Sequence, residues 1–281
     1  MNSMNCYMAL EDLKNRLNVD PDAEDAHWSD IELLTKLRFA YKKVWMNLSM
    51  KRGNWLGTSG LVTAASGVIT LPDDCGKIQR VEEVSTNYPI KLNAFQQIRD
   101  YYPQRADGFN DSYLAGSLFG NTIKMLADDY NSQVRVFYDK RFVAPICGTA
   151  DSGTGTDTLV LKLADRPSMV DDDYNSVVFA FMGGGGVGTY ATASDYVGST
   201  RTVTITGSYT TSTIYGTVFE IPEEANEVVI LEAAKNAASK PASHLKDEYY
   251  RLIRSDAKEA WNAFEEWAEL RLKDNQNIGI G

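Results

Sequence analysis

The sequence predicts an α+β fold: a helical bundle from the N- and C-terminal segments, a small antiparallel sheet, and an inserted all-β barrel or sandwich module. Three observations point there. Apolar residues recur at helical spacing near both ends of the chain, and they alternate with a period of two in between. From 147 to 219 the composition shifts to Thr, Ser and Gly with few Lys or Arg and short apolar bursts.

Leu10, Leu13 and Leu17 place a short amphipathic helix over 8–17, and the Pro and acids of 18–25 read as a linker. Ser29 with Glu32 three residues on is a capping box. It opens a helix over 30–49, with Ile31, Leu34, Leu37, Tyr41, Val44, Trp45 and Leu48 on one side and lysines largely on the other. Strand-like runs follow at 61–63, 67–71 and 77–84. A short helix is expected at 93–102, closed by Pro103, and two further strands at 121–126 and 133–142. In the β-rich stretch, 158–161, 176–181 and 200–206 alternate as strands separated by turn residues. After Pro222 the alanines of 223–239 suit a closely packed helix, and 243–272 forms a longer one, roughly 40 Å at about 1.5 Å per residue. The expected organisation is a discontinuous core, 1–146 with 220–281, an all-β module at 147–219, and a flexible tail at 273–281 that orders only on a partner.

The 281 residues carry a net charge of −10, so no basic footprint exists for gripping nucleic acid. Cys6, Cys75 and Cys147 are odd in number and widely spaced, which disfavours a disulfide framework or a zinc site and suits synthesis in a reducing cytoplasm. No apolar run approaches the roughly 20 residues that span a bilayer, and no export signal is visible.

Chemical motifs are weak. Gly183 to Gly188 satisfies GxGxxG, but no helical stripe follows, so a glycine loop joining two strands is the expected reading. Asp171-Asp172-Asp173 lacks the spacing of a calcium loop and reads as a solvated acidic turn. His27 and His244 sit in no nucleophile motif. No catalytic, cofactor-binding or metal-binding residue is assigned.

Several phrases together resemble head-to-tail connector, or adaptor, proteins of tailed bacteriophages. They are the capped helix from Ser29-Asp30-Ile31-Glu32 to Val44-Trp45 and the segment Leu71-Pro72-Asp73-Asp74 running on to Ile78-Gln79-Arg80-Val81. A third group, Asp171-Asp172-Asp173-Tyr174, Gly184 to Gly188 and Asp195-Tyr196-Val197-Gly198 to Ile205, is similar to a β-module of phage structural proteins. Thr189 and Ala191 stand where that module usually has Gln and Arg.

The resemblance implies a non-enzymatic virion protein made in the host cytoplasm and placed at the neck between head and tail. It implies a homo-oligomeric ring, commonly twelvefold, that binds the portal and the next tail or neck protein. DNA would pass through its lumen without specific binding, and no membrane is involved. Leu245, Tyr249, Leu252, Trp261, Phe264 and Trp267 are the candidates for subunit packing, and Leu272, Ile278 and Ile280 for portal docking. The alternatives are a tail or baseplate component whose β-module binds a host glycan or another tail protein, and a virion-associated glycan hydrolase.

Overall fold

A computed structural model describes residues 4–18, 28–51, 55–93, 115–240 and 247–278. Among them are four α-helices and thirteen strands, an α+β protein with several antiparallel sheets, one of them a curled half-barrel. The chain forms two compact units, Leu56–Arg141 and the joined segments Met1–Trp55 and Phe142–Gly281.

In the larger unit, helix α1 (Cys6–Arg16) starts at Asn5, whose side chain accepts the Met8 N–H. Helix α2 (Asp30–Met50) starts at Ser29, where both bonds of the capping box form. It buries Leu33, Leu34, Leu37, Ala40, Tyr41, Val44, Trp45 and Leu48. A 3-10 turn at Glu223–Ala225 leads into helix α3 (Asn226–Ala238), nearly apolar on all sides and packed against α1, α2 and the last helix, α4 (Asp247–Ile278). Buried Ala233, Ala234, Ala237 and Ala238 on α3 let its neighbours approach closely. The expected tail is partly helix, because α4 runs on through Lys273 to Ile278. No helix breaker occurs until Gly279.

The β-rich stretch holds β8 (Cys147–Thr149), β9 (Thr156–Val160), β10 (Val178–Gly183), β11 (Tyr190–Val197), β12 (Thr202–Ser208) and β13 (Ile214–Thr217). They form one sheet in the order β8-β13-β10-β11-β12-β9, so two consecutive strands occupy opposite edges. A flat sheet of this width would separate those edges by about 24 Å. Residues 150–155 contain turns and cannot reach that far, so the sheet curls. The Asp151 N–H donates to the Val160 carbonyl at 2.7 Å, tying one side to the other. A bulge between Ala193 and Asp195 bends β11. Leu159, Leu161, Tyr174, Phe179, Phe181, Tyr196, Val203, Ile205 and Tyr215 fill the concave side.

The half-barrel is fastened to the helices within one compact unit. Asn5 bridges to Val218, and the Phe219 N–H donates to the Met4 carbonyl at 2.9 Å. The Arg38 guanidinium on α2 donates to the carbonyls of Pro145 (2.8 Å) and Asp165 (2.9 Å), and the Tyr41 hydroxyl accepts the Glu220 N–H. These bonds satisfy backbone groups that a free-standing module would leave to water.

The smaller unit contains two small sheets rather than one. One has the order β1-β7-β3, from β1 (Gly57–Thr63), β3 (Cys75–Glu83) and β7 (Gln133–Lys140). The other has the order β2-β6-β5-β4, from β2 (Val68–Thr70), β4 (Lys91–Leu92), β5 (Ala115–Phe119) and β6 (Thr122–Met125). Their shared core includes Ile69, Val81, Ile123, Val134, Val136 and Tyr138. The helix expected at 93–102 lies, beyond its first residue, outside the described residues.

Candidate assembly surface

Of the phrases that carry the resemblance, the third group meets in the half-barrel and is used there as architecture. Asp171 Oδ1 accepts the Gly198 N–H at 2.8 Å, the Asp172 N–H donates to the Tyr196 carbonyl at 2.9 Å, and the rings of Tyr174 and Tyr196 meet edge to face at 4.7 Å. Ser168 joins the two tyrosines, its N–H donating to the Tyr174 hydroxyl and its carbonyl accepting from Tyr196. Burial pushes the Tyr174 hydroxyl up to about 12. Arg201 closes the group, donating to the Leu161 carbonyl and to Asp151. Acid, tyrosines, glycine and arginine thus hold one loop against one strand end.

The glycine run connects antiparallel strands β10 and β11, as its surroundings predict. A Cβ on Gly184 would lie 2.5 Å from the Ser212 carbonyl oxygen, so the loop is pressed against backbone. Asp171 and Asp172 are exposed. Among the described residues no group of three or more His, Cys, Asp or Glu could hold a metal ion, and no helix is long and apolar enough to cross a membrane. His27 and His244 lie outside the described residues. Cys6 is fully buried next to Cys147, and burial raises its thiol well above the ordinary value.

An open cleft of about 450 Å³ in the larger unit is lined by Trp28, Ile31, Thr35, Lys36, Arg166 and Lys240, among others. Another, of about 540 Å³ in the smaller unit, includes Leu71, Cys75, Lys77, Ile78 and Leu118 in its lining. Burial pushes the Cys75 thiol up to about 11, which makes it a poor nucleophile. In the first lining Glu32 and Lys240 form an ion pair at 3.0 Å.

The helical surface is the most developed feature. On α4 the inward line is Ile253, Ala257, Phe264 and Ala268. Phe264 is 2 % exposed, stacks on Trp267 at 5.9 Å and meets Trp261 edge to face at 6.0 Å. Trp267 also lies 4.8 Å from the Trp55 ring. Three of the candidates for subunit packing therefore pack within the subunit. Tyr249 is partly exposed and donates to the Arg16 carbonyl at the end of α1, whereas Leu252 is 54 % exposed. Leu272 and Ile278 fall on α4 with their side chains undescribed, and Leu245 and Ile280 lie outside the described residues.

Sequence reasoning missed Glu232 on α3. This buried carboxylate accepts from Lys43 on α2 at 2.9 Å, from Lys235 on its own helix, and from Trp261 Nε1 on α4 at 3.0 Å. Burial acts to raise its pKa, but the bonds from Lys235, Lys43 and Trp261 outweigh it and hold the carboxyl below its ordinary 4.5. A lowered folded pKa contributes stability that is present above the unfolded value and lost as pH falls through the folded one. Glu232→Gln should cost about 1–2 kcal/mol at pH 7 and flatten the acid side of the stability curve below about pH 5; urea titrations from pH 3 to 7 measure both. The one clear signal was its place as the lone charge in the apolar run from Val228 to Ala234.

Outward-facing apolar residues form the rest of the surface. Phe39, Met46 and Met50 on α2 are 72 %, 51 % and 75 % exposed, and Leu270 on α4 is 55 % exposed. Ala268 is the last buried residue among the described side chains of α4, and Glu269, Leu270 and Arg271 after it are exposed. No protein-family model matches the chain, and none of the curated proteins matches it.

Proposed function

We propose that the chain is a non-enzymatic structural subunit of a tailed bacteriophage, a head-to-tail adaptor that assembles as a ring between portal and tail around the DNA passage. The exposed apolar residues of the helices carry this reading, because Phe39, Met46 and Met50 on α2 and Leu270 on α4 stand in solvent as a surface offered to another chain. Leu272, Ile278 and Ile280 would meet the portal. The resemblance of the capped helix and of the β-module supports the same reading, since those residues serve as scaffold. The charge of −10 suits a passage that must not hold DNA.

Native mass spectrometry and cryo-electron microscopy of the protein alone and mixed with portal test the proposal. The expected result is a closed ring that caps the portal. A strictly monomeric chain in both samples, with no portal binding, would sink it.

A second reading, a tail or baseplate component with a ligand-binding module, draws on the exposed Met169, Val170, Val187 and Tyr190 around the half-barrel. An antibody to residues 147–219 separates the two: neck labelling of virions favours the adaptor, distal-tip labelling the tail component.

A further inference from the structure

The outward face of α2 carries a line of apolar and basic side chains. Lys36, Phe39, Lys43, Met46 and Met50 follow one another at steps of three, four, three and four, the spacing that keeps side chains on one line of a helix packed against another. The line lies opposite the face that α2 buries in its own unit. Its large apolar members are more than half exposed, and Lys43, although bonded to Glu232, remains 52 % exposed. A stripe of this kind, apolar with lysines, calls for an apolar and acidic helix.

The outer face of α4 has that composition at that spacing. Leu252, Asp256, Glu259, Ala263 and Glu266 follow at steps of four, three, four and three, the reverse of the α2 series. Leu252, Glu259, Ala263 and Glu266 are exposed, and the line stands away from Ile253, Ala257, Phe264 and Ala268, the residues α4 buries in its own unit. Laid antiparallel, the two lines match layer by layer. Met50 meets Leu252, Lys43 meets Glu259, Phe39 fits over the small Ala263, and Lys36 meets Glu266. Only the layer of Met46 and Asp256 lacks a complementary pair.

We infer that α2 of one copy receives the outer face of α4 of the next copy as an antiparallel helix pair. The inference rests on the ring reading and supplies its contact. Because the two faces are different parts of the same surface, the contact is heterologous and leaves a free donor and a free acceptor on every dimer, which generates a ring when the rotation between copies closes.

Blocking one face at a time tests this. Phe39→Glu disables the α2 face and Leu252→Glu the α4 face; both positions are exposed, so circular dichroism should show an unchanged fold. Each variant alone is expected to be monomeric by native mass spectrometry, and their equimolar mixture to form a 1:1 dimer and nothing larger. Lys36→Glu and Glu266→Lys should each weaken assembly by about fivefold, and the double variant should recover it. Assembly of Phe39→Glu like the wild type would overturn the contact while leaving the ring reading standing. So would monomeric variants whose mixture fails to dimerise. A wild type that is monomeric alone overturns the contact as well, with the ring reading then decided by the mixture with portal.

Discussion

Phe264→Ala should lower the unfolding free energy of the larger unit by about 3–5 kcal/mol, the usual cost of emptying a ring-sized site in a core. Phe264 lies between Trp261 and Trp267 and is the largest side chain on the inward line of α4, whose other members are Ile253, Ala257 and Ala268. All five tryptophans, Trp28, Trp45, Trp55, Trp261 and Trp267, belong to this unit. Tryptophan emission in urea therefore reports its unfolding apart from that of Leu56–Arg141. A loss under about 1 kcal/mol would mean that α4 is anchored elsewhere.

Gly216→Val should detach the N-terminal segment from the half-barrel. A Cβ at 216 would stand 2.7 Å from the Tyr7 nitrogen and 3.0 Å from Asn5 Oδ1, and backbone has little room to give. The expected cost is about 1–3 kcal/mol. Cys6 and Cys147 lie beside this contact, at 0 % and 3 % exposure, and Cys147 pairs with Gly216 across the sheet. Both thiols should react with a disulfide reagent roughly ten times faster or more in the variant. Cys75, in the other unit, serves as the internal control. Unchanged labelling of Cys6 would show that the segment is held by something other than this close approach.

What could be read from the sequence was local. The capping box at Ser29 and Glu32 placed the start of α2, because both bonds lie within one turn. Period-two runs located β1, β3, β7 and β12, whereas β5, with Gly116 and Ser117 inside it, gave no alternating pattern. The long helix was visible, but not which of its faces turns inward. Trp261 and Trp267 suit a subunit seam as well as a core until Trp55 and Glu232 are brought beside them. The exposed stripe of α2 was overlooked for the same reason: Leu34, Leu37 and Tyr41 already accounted for one face, and nothing local marks Phe39 and Met46 as a second. The partition between units depended on contacts such as Asn5 with Val218 and Arg38 with Pro145, which join residues more than 100 positions apart. A change of composition at 147 marks where the chain alters character, not what it packs against.

The smaller unit begins and ends on the adjacent strands β1 and β7, with the Lys140 N–H donating to the Leu56 carbonyl at 3.0 Å. That arrangement has a consequence for the order of events during synthesis. Leu56–Arg141 can close on itself as soon as it leaves the ribosome, whereas α2, made earlier, lacks the helix it packs against most extensively until α3 follows at Asn226. At roughly 5–20 residues per second, the apolar side of α2 waits for on the order of 10–30 s with Leu33, Leu37, Val44 and Trp45 uncovered. The nascent chain thus exposes an apolar face that the finished protein buries.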